Sequence, residues 1–445
     1  MRNLFRLVGR FRSDRRGNIA VIFGIACVPL VVSVGCAVDY TTATRIKSKL
    51  QAAADDASVG SVAKTSPAFI AAGSMTTDGP IPVGVTDATN IFNGNMSGVT
   101  GYTVTPTVTK TGAIVTSTVQ FSATVPTTFL GVIGTTQMTV SGTSTATTSM
   151  PLFIDFYLLL DNSPSMGVGA TPNDVQIMVN HTSDQCAFAC HDVNNSNNYY
   201  NLAISLGVTT RIDVLRQATQ DLMDTATQYE LYPSQYRMAI YDFGASASTA
   251  GLRALFSLSS SLSSAKTAAG NIALMTVSGT NDNSDRDTQF TPILPQINTA
   301  IPTPGNGTSS APLKYLFFVS DGVADEANSG STMCNASSSY PVYTSSNRCQ
   351  SPINPALCQA LKDRGIRIAV LYTTYLALPT NNWYTTWINP FNTAPYGPSP
   401  NSKIAQNMQS CASPGFYFEV SPTQGISAAM QALFKKAVGE AHITG

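Results

Sequence analysis

Charge is scarce in this chain. Asp, Glu, Lys and Arg make up only 11% of 445 residues, the 25 basic and 25 acidic side chains cancel, and three histidines and two tryptophans are present. That balance excludes a disordered acidic or basic protein and provides no basic field to neutralise phosphates, so no nucleic-acid partner is expected. The three imidazoles, His181, His191 and His442, lie away from any serine in a nucleophile-elbow context, which argues against enzymatic activity. A metal-dependent hydrolase also needs a base that the sequence does not supply. Apolar residues, at 43%, fill much of the chain together with Thr, Ser, Asn and Gly, and the length suffices for more than one packed core.

The few charges are unevenly placed. Arg2, Arg6, Arg10, Arg12, Arg15 and Arg16 against Asp14 give the first sixteen residues +5, leaving −5 for the remainder. Between these parts, NIAVIFGIACVPLVVSVGCAV carries no charge from Asn18 until Asp39, and its 20 residues from Ile19 to Val38 match a bilayer's hydrocarbon thickness when helical. The organisation expected is a basic cytoplasmic tail (1–17), a transmembrane helix (18–38) and an exported remainder, because arginines flank only the N-terminal side. This places the chain in a bacterial inner membrane, single-pass, with its body periplasmic or extracellular. A cleaved signal peptide and a lipoprotein signal at Cys27 or Cys36 are the alternatives. The run exceeds a usual signal core, and both cysteines lack the leucine usual three residues earlier.

Residues 39–65 change to an amphipathic helical pattern, with Ile46, Leu50, Ala53, Ala54 and Val59 interleaved with Arg45, Lys47, Lys49, Asp55 and Asp56. RRGNIAVIFGIA and DYTTATRIKSKLQAAADDAS resemble the N-terminal region of TadG-like proteins of the tight-adherence (Tad) system that builds Flp pili. The resemblance covers roughly residues 10–65 and implies a role in pilus assembly. Ile22 stands where pilins of that system carry a glutamate, so prepilin-peptidase processing is not implied. Residues 66–150, rich in Thr, Ser and Val, alternate as short strands do. They read as a small β-rich spacer, with a flexible Thr-rich linker as the competing reading.

From residue 151 the pattern is α/β. FIDFYLLL is an apolar run interrupted only by Asp155, suited to a buried parallel strand, and it ends in Asp161-Asn162-Ser163-Pro164-Ser165. A second apolar strand, Tyr315 to Val319, ends in Ser320-Asp321-Gly322. Asp-x-Ser-x-Ser places a carboxylate and two hydroxyls at alternate positions, and oxygen donors in that arrangement suit a hard divalent cation. With Asp287-Thr288-Gln289-Phe290, the constellation is similar to the metal-ion-dependent adhesion site (MIDAS) of von Willebrand factor A (vWA) domains. The resemblance implies Mg²⁺ (or Mn²⁺ or Ca²⁺) held by Asp161, Ser163, Ser165, Thr288 and Asp321, with Thr291 as the alternative threonine. It also implies a doubly wound, mostly parallel, Rossmann-like sheet over residues 151–440. An insertion, 167–209, follows the motif and should rim or cover the binding face. Asp282, Asp285 and Asp287 read as a solvated loop, without the glycine and terminal glutamate of an EF-hand.

Six cysteines lie beyond the membrane run, an even number that fits disulfides in an exported chain. The expected bridges are Cys186–Cys190, Cys334–Cys349 and Cys358–Cys411, although six cysteines allow fifteen connectivities. Taken together, the sequence points to a membrane-anchored vWA protein that binds a protein partner, a pilus-assembly or envelope component, through a divalent-metal adhesion site. The alternative is a structural cell-envelope scaffold with a covered, non-adhesive metal site.

Overall fold

The structure is a computed structural model and describes residues 17–75, 77–189, 191–279, 287–327, 343–344, 348–393, 402–421 and 425–443. The expected basic tail, Cys190, Asp282, Asp285 and Cys334 lie outside the described residues. The chain divides into two compact units, Met1–Met150 and Pro151–Gly445.

In the first unit, helix α1 (Gly17–Ser61) runs without a break through both the apolar run and the amphipathic segment, Pro29 included. Among the described residues it is the one helix long and apolar enough to cross a membrane. Its first half leaves Ile19, Val21, Ile22, Phe23 and Ile25 exposed, whereas its second half buries Leu50, Ala53, Ala54 and Ala57. Those small side chains let the helix pack closely on α3 (Pro82–Asn95) and on a sheet, in a core with Phe92, Val119 and Phe121. The sheet pairs β1 (Gly79–Pro80), β2 (Tyr102–Thr111), β3 (Ile114–Pro126) and β4 (Gln137–Ser149), all antiparallel. Alternation decides the faces: Val115, Ser117, Val119, Phe121, Ala123 and Val125 of β3 are buried. Buried Ser117 accepts a hydrogen bond from Ser61 at 2.8 Å. Two helices in this stretch were not signalled by its composition. α2 (Pro67–Ser74) starts where the Ser66 hydroxyl accepts the Phe69 N–H and proline takes the first turn, and α3 also begins on a proline.

The second unit is mixed α/β. Its main sheet runs in the order β12 (Tyr417–Val420), β11 (Arg367–Thr373), β8 (Leu313–Ser320), β5 (Ile154–Leu160), β6 (Tyr236–Asp242), β7 (Arg253–Ser259). The first five are parallel neighbours, whereas the edge strand β7 is antiparallel to β6, so the sheet is mixed. β5 is buried along its whole length, as its unalternating sequence requires. Tyr157 and Leu159 pack into a core with Ile293, Leu294 and Ile297 of α7 (Phe290–Ala300), Leu361 of α8 (Ala356–Asp363) and Met408 of α9 (Lys403–Cys411). The alternate residue Phe156 stacks instead on Tyr236, Phe317 and Phe434, the last on α10 (Ile426–Ile443).

Asp155, the one charge within the β5 run, is neutralised at the N-terminal edge of the sheet. Arg237 approaches at 2.6 and 2.7 Å and Lys314 at 2.5 Å, each from the strand beside it. The insertion 167–209 carries α4 (Pro172–His181) and a short helix at Tyr199–Ser205, with its own small core of Met178, Ala189, Ala203 and Val208. It leaves and returns at one point, where Gly169 bridges Thr210. Cys186 is a free thiol, a correction to its expected bridge. Gln185 has φ 55° and Phe188 is bridged to Val168, while the expected partner Cys190 lies outside the described residues. Cys358 and Cys411 are bonded, joining α8 to the end of α9.

Candidate metal centre

Parallel strands of equal register bring their C-terminal ends together, and the donors lie on that edge. The Leu160–Val319 pairing and the Asp161 N–H to Val319 carbonyl bond (2.9 Å) place the residues after β5 beside those ending β8. Asn162 fixes the turn by accepting the Phe243 N–H and donating to the carbonyls of Gly244 and Ala273. Gly322 has φ +76°, and a Cβ there would lie 2.7 Å from Met408, so Ser-Asp-Gly turns sharply where only glycine fits.

Within this frame Asp161 Oδ1 accepts from the Ser163 hydroxyl (2.6 Å) and N–H (2.9 Å), and Oδ2 accepts from the Ser320 hydroxyl (2.6 Å). The Ser163 and Ser165 hydroxyl oxygens are 3.1 Å apart. Asp161, Ser163 and Asp321 are wholly buried and Ser165 half-buried. Burial, reinforced by the Asp321 charge, pushes the Asp161 carboxyl up to about 7 against the hydrogen bonds from Ser163 and Ser320. Two buried carboxylates thus act on one another.

A fixed cation flanks them. Arg211 opens α5 (Arg211–Tyr229), whose start is set by Thr210: its N–H and hydroxyl both donate to Asp213, at 3.0 and 2.6 Å. The buried guanidinium donates to the carbonyl and hydroxyl of Thr373 (2.7 Å each), to the Ser165 carbonyl (3.4 Å) and to Asp321 Oδ2 (3.5 Å). It lies 5.1 Å from the centroid of Tyr375. Burial, then the Asp321 charge, raises the Tyr375 hydroxyl well above its ordinary value, so it is neutral.

Asp161, Ser163, Ser165 and Asp321 are therefore brought together. Thr288 is held by backbone pairing with Asp325, four residues past Asp321. The alternative, Thr291, is committed elsewhere: its N–H and hydroxyl both donate to Glu326 of β9 (Val323–Ala327), at 2.7 and 2.8 Å. Arg211, Ser320 and Tyr375 were not identified from sequence. Only Ser320 had a visible signal, lying in the Ser-Asp-Gly turn itself.

Among the described residues no three His, Cys, Asp or Glu side chains cluster as metal ligands, so a cation here relies on hydroxyls beside two carboxylates. The donor set passes a fit test. Cis ligands of an octahedral Mg²⁺ at about 2.1 Å are about 3 Å apart, close to the Ser163–Ser165 separation of 3.1 Å. All the donors are oxygens, as a hard cation requires.

Residues 17–63 match the family model described as "Putative Flp pilus-assembly TadE/G-like". No curated protein matches. Among solved structures, the pilus adhesin SpaC from Lactobacillus rhamnosus GG, in an open conformation, aligns at 14% identity and TM-score 0.36, over 77% of this chain and 34% of that one. This chain therefore spans about a third of that structure's length. The vWF domain of the type V pili tip protein Mfa5 from Porphyromonas gingivalis aligns at 10% identity and TM-score 0.35, over 65% of this chain and 97% of that one. Proximal thread matrix protein 1 from the mussel byssus gives 14% identity and TM-score 0.33, over 65% and 46%.

Proposed function

We propose that this is a Tad pilus protein, held in a bacterial inner membrane by α1 with its basic N-terminus cytoplasmic, whose exported second unit is a doubly wound, vWA-type binding module. Asp161, Ser163, Ser165, Thr288 and Asp321 hold Mg²⁺, or Mn²⁺ or Ca²⁺, and recognition of a protein partner in pilus assembly or adhesion depends on that site. The activity is binding, not catalysis. The observation that carries the reading is the pair of serine hydroxyls 3.1 Å apart beside two buried carboxylates at the carboxyl edge of a largely parallel sheet. A divalent cation supplies an open coordination position that accepts an acidic side chain. The protein's part is to keep Asp161 oriented through Ser320 and to exclude water from around it.

The test is calorimetric titration of the full chain in detergent with MgCl₂, MnCl₂ and CaCl₂, with partner capture measured by crosslinking with and without EDTA. Ser163→Ala and Asp161→Asn are expected to abolish cation uptake and EDTA-sensitive capture while leaving the metal-free melting temperature within a few degrees. No uptake by the parent chain overturns the reading. The complete burial of Asp161, Ser163 and Asp321 favours a second reading: a structural scaffold whose metal is covered. In that case EDTA lowers the melting temperature without changing capture.

A further inference from the structure

We infer that the loop between β3 and β4 is a second membrane contact, inserting Phe129, Val132 and Ile133 into the outer boundary of the bilayer beside α1. The inference rests on the reading of residues 19–38 as a membrane span, and it concerns the first unit alone.

Three observations meet at this loop. First, it is bolted to the helix where the apolar run ends. Both oxygens of Asp39 accept backbone N–H groups from Thr128 (3.0 Å), Phe129 (2.8 Å) and Leu130 (2.7 Å). Second, it reaches back along the run. A Cβ built on Gly35 would lie 2.4 Å from the Phe129 Cβ, so the aromatic side chain sits against bare helix backbone four residues inside the run. At 1.5 Å per residue that is about 6 Å below Asp39. Whatever lies against Gly35 lies within the depth that the apolar helix spans.

Third, the loop is chemically suited to that depth. No charged residue occurs between Lys110 and Asp155. Val132 and Ile133 are 77% and 59% exposed, large values for neighbouring β-branched apolar residues. Lipid tolerates irregular backbone only where its polar groups are satisfied internally. Here Val132, Gly134 and Thr135 donate to carbonyls of the same loop, and Asp39 takes the three amides before them. Tyr40, 65% exposed and next along α1, is the residue type that collects at a membrane–water boundary.

The proposal is tested by tryptophan depth on the full chain reconstituted in phosphatidylcholine vesicles, with the signal of Trp383 and Trp387 subtracted. Ile133→Trp is read against Val31→Trp inside the run and Val59→Trp, about 30 Å along the helix from Asp39. Ile133→Trp is expected to emit further to the blue than Val59→Trp. Lipids brominated on the acyl chain should quench it at least twofold more than Val59→Trp. Quenching of Val31→Trp but not of Ile133→Trp overturns the loop contact and leaves the span standing. Blue-shifted but unquenched Ile133→Trp overturns it in favour of a protein contact. If Val31→Trp is also unquenched, the span and the loop contact fall together.

Discussion

Replacing Arg211 by methionine keeps much of the buried stem and removes the only positive charge recorded against the Asp161–Asp321 pocket among the described residues. Two short charge-assisted bonds to Thr373 are lost, each worth about 1.5–3 kcal/mol. The ion pair with Asp321 is lost as well, and its 3.5 Å separation makes it the weaker contact. These terms overlap, because one guanidinium makes all of them, and breaking a buried ion pair from one side costs about 3–5 kcal/mol. We therefore expect Arg211→Met to lower unfolding stability by about 3–5 kcal/mol in chelator. The assay is urea unfolding of the full chain followed by tryptophan fluorescence, since both tryptophans, Trp383 and Trp387, belong to the second unit. If a cation binds these oxygens, saturating Mg²⁺ replaces the missing positive charge and stabilises the variant more than the parent. Excess ligand at a hundred times its dissociation constant contributes about 2.7 kcal/mol. A loss below about 1 kcal/mol in chelator refutes the role assigned to Arg211, and equal Mg²⁺ effects on parent and variant refute the coupling.

Two further outcomes follow from groups outside the pocket. The Cys358–Cys411 bond spans 53 residues, for which loop entropy gives an upper figure of about 4 kcal/mol. The double alanine variant should lose about 2–4 kcal/mol by the same unfolding assay. At Asp39 the N–H of Leu130, then those of Thr128 and Phe129, hold the carboxyl below its ordinary value of 3.8 despite burial. The unfolded chain then binds the proton more readily, so the loop lock is fully present above about pH 4 and fails as pH falls through the lower folded value. Hydrogen-exchange protection of the Phe129 and Leu130 amides, corrected for intrinsic rate, should be flat from pH 7 to 5 and fall below pH 4. Loss of protection already at pH 5 contradicts this.

Elements whose physical signal is local were legible from the sequence. The strands Ile154–Leu160 and Leu313–Ser320 lie within a few residues of the apolar runs FIDFYLLL and Tyr315 to Val319 that marked them. Phe290–Ala300 is a helix with Pro295 inside it, a residue that disfavours helix. Tertiary burial of Phe290, Ile293, Leu294 and Ile297 outweighs that cost. The closeness of Asp161, Ser163, Ser165 and Asp321 was legible because they follow the ends of two apolar strands. Arg211 was not, because its partners Thr373 and Asp321 lie 162 and 110 residues away along the chain. A lone arginine after a helix cap carries no mark of that.

The two aspartates of β5 and its end differ in how their charges are met. Asp155 and Asp161 are six residues apart, about 20 Å along an extended strand, and both are fully buried. Asp155 has two cations within 2.7 Å, Arg237 and Lys314, so its charge is satisfied by the fold itself. Asp161 has only N–H and hydroxyl donors, and the charge that acts on it is that of another carboxylate, Asp321. A chain that can place a lysine and an arginine around one aspartate at one end of a sheet leaves the other short of positive charge at the opposite end. The deficit is partly met by Arg211, which touches Asp321 rather than Asp161. On the proposed reading a small divalent cation at the serine hydroxyls would meet the rest, so the site's stability and its binding should respond to chelator together, while substitutions around Asp155 should change stability alone.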